Sequence, residues 1–445
     1  MSYAAAIEKL NTMAPELYAR PGQPRRKFSL DEVRTLLAAL GHPQRRFPAV
    51  LIAGTNGMGS TAATLASILT QAGVRTGLYT SPHLVRPNER ICVNRTEIAD
   101  DDFARLFFLV SDTANQMVEE RKLPQQPSFF EMLTALAFLY FAERKVEIAV
   151  LEVGMGGRLD ATNVVDPLLS IVTDISLDHT EWLGPTIAAI AREKAGILRR
   201  RGTMITLPQH PDANQVLGEV ATELEVHAVS AADYMPAGEA KGTYTVQALG
   251  TQVKVDSPLA GAHQQRNVAL AIAAAVELAT RHGFPINAAV IEAGIRRTRW
   301  PGRLERMTAA GAEWVLDVAH NPAGAWALRA GLRSILEGRT PRVLIFSCLR
   351  DKPLEEMAQI LFPLFDRVIL APIHAARAAA VDDLLAAAKA TGTPAVAACS
   401  VREALRIAQD NSAGGVVVVS GSVYLVGEAR ALLLAGLSAA ESEQP

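Results

Sequence analysis

"PAVLIAGTNGMGST", residues 48–61, runs from apolar residues through a glycine-rich turn into small residues that suit a helix. The apolar part reads as a buried strand and Ser60 to Ala72 as the helix after it. Main-chain N–H groups that open a helix suit a phosphate, and the Ser60 hydroxyl suits a metal ion. Loops of this kind place a lysine on the outer phosphates, and here that slot holds Met58. Taken alone, the stretch fits a nucleotide loop formed by Gly54, Thr55, Asn56, Gly57, Met58, Gly59 and Ser60. It fits a purely structural turn with three glycines equally well.

The same strand–loop–helix rhythm recurs outward from this loop. "VEIAVLEVG" and "LLSIVTDI" read as further buried strands, and "AEWVLDVAHN", "RVLIFSCL", "DRVILA" and "GGVVVVSGS" repeat the pattern near the C-terminus. Alternation of this kind predicts an α/β fold with a mostly parallel sheet and helices on both faces. Ligands then belong at the carboxyl ends of the strands. "TYTVQALGTQVKV" reads as a peripheral hairpin, and an Ala-rich helix follows from about His263 to Arg281. "RTRWPGRLE" breaks the periodicity and reads as the interdomain linker. The fold expected is an N-terminal P-loop-type domain over 1–299 and a smaller Rossmann-like α/β domain over 300–445.

Composition narrows the function classes. The chain has 445 residues, 49% hydrophobic and 20% charged, which supports full cores in two domains. A net charge of −2 argues against nucleic-acid partners and leaves small anionic ligands open. Cys92, Cys348 and Cys399 form no pair pattern and point to a reducing compartment. The N-terminus carries Glu8 and Lys9 rather than an apolar signal core, and "SFFEMLTALAFLYF" is too short to span a bilayer. A cytoplasmic monomer without membrane attachment is the expectation.

Several strand-end residues could carry chemistry. Glu152 ends a buried strand before a glycine run that reads as flexible, and a carboxylate there can hold Mg²⁺ beside a phosphate. It can also be a solvent-facing acid. Asp174, Asp178 and His179 follow the next strand, where a histidine is more often a surface or core residue than a ligand. "AREKAGILR" puts Glu193 and Lys194 on a short helix. Most such lysines are solvated; one held close to a metal can react with carbon dioxide and become an anionic carbamate. Asp317 can be an ordinary strand-end acid, His320 and Asn321 can cap the next helix, and Arg303 can pair with Glu305.

Together, "GTNGMGS", "SPHLVRPNERI", "SFFEMLTALAF", "LEVGMGGRLDATN", "SLDHTEWLG", "REKAGI", "GAHQQRNVALA", "WPGRLE", "LDVAHNP" and "GSVYLVGE" resemble, in order and over nearly the whole chain, one family. It is the folylpolyglutamate synthase and dihydrofolate synthase branch of the Mur ligases. The resemblance implies ATP-dependent amide formation through an acyl phosphate, joining L-glutamate to dihydropteroate, to folate polyglutamates, or to both. It makes 1–299 the ATP- and folate-binding domain and 300–445 the glutamate-ligase domain. It assigns Mg²⁺ to Ser60, Glu152 and His179, and a carbamate to Lys194. It assigns ATP contacts to Asn267, Arg303 and Asp317, with Lys194, Arg303, Asp317 and His320 catalytic. Ser81, Pro82, His83 and Arg90 become folate-site candidates, and His320 and Ser422 glutamate contacts.

Two positions depart from the family pattern: Met58 replaces its lysine, and Val318 stands where it usually has glycine. The first leaves open a catalytically impaired relative that binds nucleotide or folate, and a Mur-type ligase for another acid is the other alternative. With Met58, nucleotide binding is expected to survive and turnover to fall, unless another cation reaches in from Arg303 or Lys352.

Overall fold

Eight strands build the first sheet: β1 (Ala49–Ala53), β2 (Thr76–Tyr79), β3 (Ile91–Val93), β4 (Thr96–Glu97), β5 (Ile148–Glu152), β6 (Pro167–Val172), β7 (Thr203–Thr206) and β8 (His227–Ser230). Their order is β4-β3-β2-β5-β1-β6-β7-β8. The pairs from β2 to β8 are parallel, and the short β3 and β4 add antiparallel at one edge.

Side chains of a strand alternate between faces, so a strand covered on both sides is apolar throughout. In β1, Ala49, Leu51 and Ala53 enter one core while Val50 and Ile52 enter the other. The first core takes helices Asp100–Glu119 and Phe129–Glu143; the second takes Met58–Gln71, Ala262–His282 and Ala288–Arg296. A two-stranded hairpin, β9 (Tyr244–Ala248) with β10 (Thr251–Val255), closes over the second core.

A second sheet contains β11 (Glu305–Ala309), β12 (Ala312–Leu316), β13 (Arg342–Phe346), β14 (Arg367–Leu370), β15 (Ala395–Ala397) and β16 (Val416–Ser420). The order is β11-β12-β16-β13-β14-β15, parallel except for the β11–β12 hairpin at one edge. The same alternation holds, with Val416 and Val418 on one side and Val417 and Val419 on the other.

This computed structural model describes residues 2–13, 29–238, 242–309, 312–412 and 414–436. The chain forms two compact units. One is 1–81, 87–257 and 266–298; the other is 82–86, 258–265 and 299–445. Among the described residues no helix is long and apolar enough to cross a membrane.

Candidate functional site

In the first unit, β1 lies between β5 and β6, so the loops after these three strands meet at one edge of the sheet. This is the reversal point at which open α/β sheets bind ligands. The turn after β1 is tied down from the β6 side. The main-chain carbonyl of Asp174 accepts from Thr55 N at 2.9 Å and Asn56 N at 3.1 Å. Thr55 Oγ1 donates to the Ser176 carbonyl, and Asn56 Nδ2 to Ser176 Oγ.

Gly57 then turns with φ 89° and precedes helix Met58–Gln71, which no side chain caps among the described residues. Its first N–H groups, from Met58 to Ser60, lack intrahelical partners and carry the positive end of the helix dipole. The Asn267 side chain lies over this point: a Cβ at Gly57 would stand 2.1 Å from its Oδ1. Ser60 is buried behind the turn. Met58, half-buried, packs against the apolar cluster that includes Val50, Ile52 and Leu65.

Glu152, the last residue of β5, pairs in register with Ile52 and is 4% exposed. Its Oε2 accepts from Ser81 N at 3.0 Å, linking the loop after β2 to the β5 end. The glycine run after Glu152 is close-fitting rather than flexible, contrary to the sequence reading. The buried Asp160 carboxylate accepts from the N–H groups of Gly154, Met155 and Thr162, at 2.9, 3.0 and 2.9 Å. A Cβ at Gly157 would lie 2.9 Å from the carbonyl oxygens of both Glu193 and Lys194, so helix Ile187–Ala195 seats directly on this loop. Arg158 fastens it further, with its N–H on the Glu193 carbonyl and its guanidinium on the Glu193 carboxylate.

Lys194 is thereby held inside the unit, 4% exposed, with Nζ donating to the Gly54 carbonyl at 2.5 Å. Burial pulls its pKa down to about 8, against the opposing pull of Asp178 and Asp160. A share of neutral amine therefore exists near neutral pH. His179 takes a left-handed φ of 49°, and its Nε2 lies 4.0 Å from Asp178 Oδ1.

A cation at this edge would be held by Glu152 and the Ser60 hydroxyl, with His179 on the neighbouring loop. Among the described residues no three His, Cys, Asp or Glu side chains gather into a cage. That suits Mg²⁺, which keeps several waters and binds through one or two carboxylates plus substrate phosphates. Glu152 and Ser60 are hard, sparse oxygen donors, and they fit.

Asp174 does not join this set. Its carboxylate takes a fork from Arg266, with Nε at 2.8 and 3.1 Å and Nη2 at 2.5 Å. Arg90 is buried over the Phe129 ring, and its carbonyl accepts from Thr80 N, next to Ser81. Pro82 and His83 belong to the second unit, in its segment 82–86.

In the second unit, Asp317 follows β12 and both its oxygens are occupied: Leu304 N and Ala319 N each donate at 2.9 Å. His320 Nδ1 donates to the Val318 carbonyl at 2.9 Å. Asn321 caps helix Pro322–Leu336 through Gly324 N, and Ser422 caps Val423–Ala435 through Tyr424 N. Arg303 donates to the Gly302 carbonyl and faces the Trp300 ring, while Glu305 pairs with Arg430. Val318 Cγ1 would stand 3.0 Å from a Cβ at Gly302, so the two positions constrain each other.

Sequence reasoning missed Asp160 and Arg266. Asp160 carried a usable signal, since an acid two residues before Thr162 in "LDATN" marks a capped turn. Arg266 had none, because its partner lies 92 residues away.

The Mur ligase middle domain family matches residues 52–275, and the Mur ligase glutamate ligase domain family matches 302–423. The chain is 34% identical to folylpolyglutamate synthase of Lacticaseibacillus casei, over 98% of this chain and 100% of that one. It is also 34% identical to dihydrofolate synthase/folylpolyglutamate synthase of Bacillus subtilis, over 91% and 94%. Among solved structures, folylpolyglutamate synthase of Mycobacterium tuberculosis complexed with ADP and AMPPCP superposes with a TM-score of 0.86 at 32% identity, each chain covered over 100%.

Proposed function

The chain belongs to the folylpolyglutamate synthase and dihydrofolate synthase family, ATP-dependent ligases of the Mur type, and from that premise we propose its reaction and the residues that carry it. It joins L-glutamate to dihydropteroate, to folate polyglutamates, or to both. An oxygen of the substrate carboxylate attacks the γ-phosphorus of ATP, the bond to ADP breaks, and an acyl phosphate forms. The glutamate amine then attacks the acyl carbon, loses its proton, and phosphate leaves.

The observation that carries this reading is the helix start at Gly57, uncapped among the described residues, with Asn267 above it and the buried Glu152 on the adjacent strand. Gly54 to Ser60 receive the phosphates, and the N–H groups of Met58, Gly59 and Ser60 face their charge. Ser60, Glu152 and His179 hold Mg²⁺, which when bound neutralises charge on the triphosphate. Asn267, Arg303 and Asp317 contact ATP, and His320 and Ser422 serve the incoming glutamate. Ser81, Pro82, His83 and Arg90 take the folate-side substrate. The protein's work is positioning and charge placement, since phosphoryl transfer asks little covalent chemistry of it.

Lys194 is the residue we assign to carbamylation. Its neutral amine attacks carbon dioxide, forms an N–C bond and releases one proton, leaving an anionic side chain able to support a second cation. The buried setting and the lowered pKa favour that amine. A ¹³C resonance of a carbamate in protein equilibrated with ¹³C-bicarbonate, absent from Lys194→Ala, is the expected sign.

The test of the reaction is a product assay by mass, with dihydropteroate or reduced folate, glutamate, ATP and Mg²⁺. A product heavier by one glutamyl residue, formed with ADP, is expected. ADP release without a glutamylated product would sink the assignment of substrate.

A further inference from the structure

Resting on the nucleotide reading above, we propose that Arg266 supplies the positive charge that Met58 does not bring to the phosphate loop. A thioether is at best a weak acceptor and cannot donate to a phosphate. The Met58 side chain also lies against the apolar cluster of Val50, Ile52 and Leu65. A side-chain cation at the loop would therefore have to come from another residue.

Three other cations of the first unit are committed elsewhere. Arg297 bonds Gln71, the last residue of the helix that the loop opens, which is roughly 20 Å along the axis from Gly57. Arg95 lines the same distant cavity as Gln71 and Arg297. Lys194 is engaged with the Gly54 carbonyl and is assigned to the carbamate, which would make it anionic. Arg303, already assigned an ATP contact of its own, donates to the Gly302 carbonyl and faces the Trp300 ring.

Arg266 sits on the loop's own anchor. Its fork grips the Asp174 carboxylate, and the main-chain carbonyl of that same Asp174 holds Thr55 N and Asn56 N. The next residue, Asn267, covers Gly57. Arg266 Nη2 also donates to the Pro208 carbonyl, and Nη1 makes no hydrogen bond among the described residues. The guanidinium is thus fixed in plane against Asp174, the residue that anchors the loop, with a donor to spare. Asp174 offsets part of its field, so Arg266 is a weaker source than an unpaired lysine. A planar fork nevertheless suits phosphate oxygens.

A double-mutant cycle on the full chain tests this, with ATP binding by calorimetry, with and without Mg²⁺, read beside the ligase rate. Arg266→Gln is expected to weaken ATP binding about tenfold and to lower kcat about 10- to 100-fold. In a Met58→Lys background the same change should cost about threefold or less, because the charge is then duplicated. Arg266→Lys, which keeps charge and loses the fork, should recover most of the ATP affinity.

A purely bracing role predicts equal losses with Met58 and with Met58→Lys, and no recovery by Arg266→Lys; either result overturns the proposal. Thermal melts of each variant separate misfolding from lost charge, and Arg266→Lys keeps the test alive should Arg266→Gln unfold. Unchanged ATP affinity in a folded Arg266→Gln protein also overturns it. Failure of the parent protein to bind ATP at all would overturn the nucleotide reading and this proposal together.

Discussion

Two glycine-bearing loops stand side by side at the edge of the first sheet and use their main-chain donors in opposite ways. After β1, the turn at Gly57 opens a 14-residue helix whose first N–H groups have no side-chain cap among the described residues. After β5, the donors of Gly154, Met155 and Thr162 are all spent on the Asp160 carboxylate. One loop leaves its donors unspent; the other absorbs them to hold a shape. Glycine serves a different purpose in each. Gly57 supplies a left-handed φ beneath Asn267, whereas Gly157 lets two helix carbonyls approach within van der Waals distance.

The sharpest way to break this contrast is Asp160→Ala. The buried N–H of Thr162 and the part-buried N–H groups of Gly154 and Met155 would lose their acceptor, and stability should fall by about 3–5 kcal/mol in denaturant unfolding. A loss below about 1 kcal/mol would mean that the second loop does not depend on its internal acceptor.

Lys194 connects the two loops, with Nζ on Gly54 and its main-chain carbonyl seated over Gly157. Its folded pKa, about 8, lies below the ordinary lysine value of 10.5. Between these values the unfolded chain binds more protons, so stability rises with pH. In carbon-dioxide-free buffer the expected gain from this group is about 3 kcal/mol between pH 8 and 10.5, read after subtracting the profile of Lys194→Met. The carbamate signal should grow through the same lower limit. A flat difference profile would remove the lysine as the buried link.

Gly57→Ala should cost about 2 kcal/mol of stability through backbone strain, and should abolish measurable ATP binding by pushing Asn267 aside. Wild-type ATP affinity in that variant would show that the first loop is a turn and no more. A smaller effect comes from Glu152→Gln. ATP binding in Mg²⁺ should weaken at least about tenfold, and binding without Mg²⁺ should barely change. Equal losses in both conditions would place Glu152 outside the metal set.

Much of this edge was legible in the residue order. β1, β5 and β16 are buried at every position and read as apolar runs broken only by Glu152 and Ser420 at their ends, and the glycine spacing marked the turn that follows β1. Lys194 stood out because its helix carried a known kind of motif. The function of the glycine run after Glu152 was not legible, because flexibility and close packing demand the same residue. Arg266 was hidden for a different reason: its meaning depends on Asp174, which only the folded chain brings to it. Local pattern reveals elements and turns, whereas pairings across the sheet need the third dimension.

The hydrogen bond from Ser81 N to Glu152 Oε2 joins the loop assigned to the folate side with the acid assigned to the metal. Two loops that share a bond also share a free energy. A ligand at either loop that strengthens or weakens this bond changes affinity at the other, and reciprocity makes the factor the same whichever ligand arrives first. Order of addition can then alter how fast the ternary complex forms, but never how much of it stands at equilibrium.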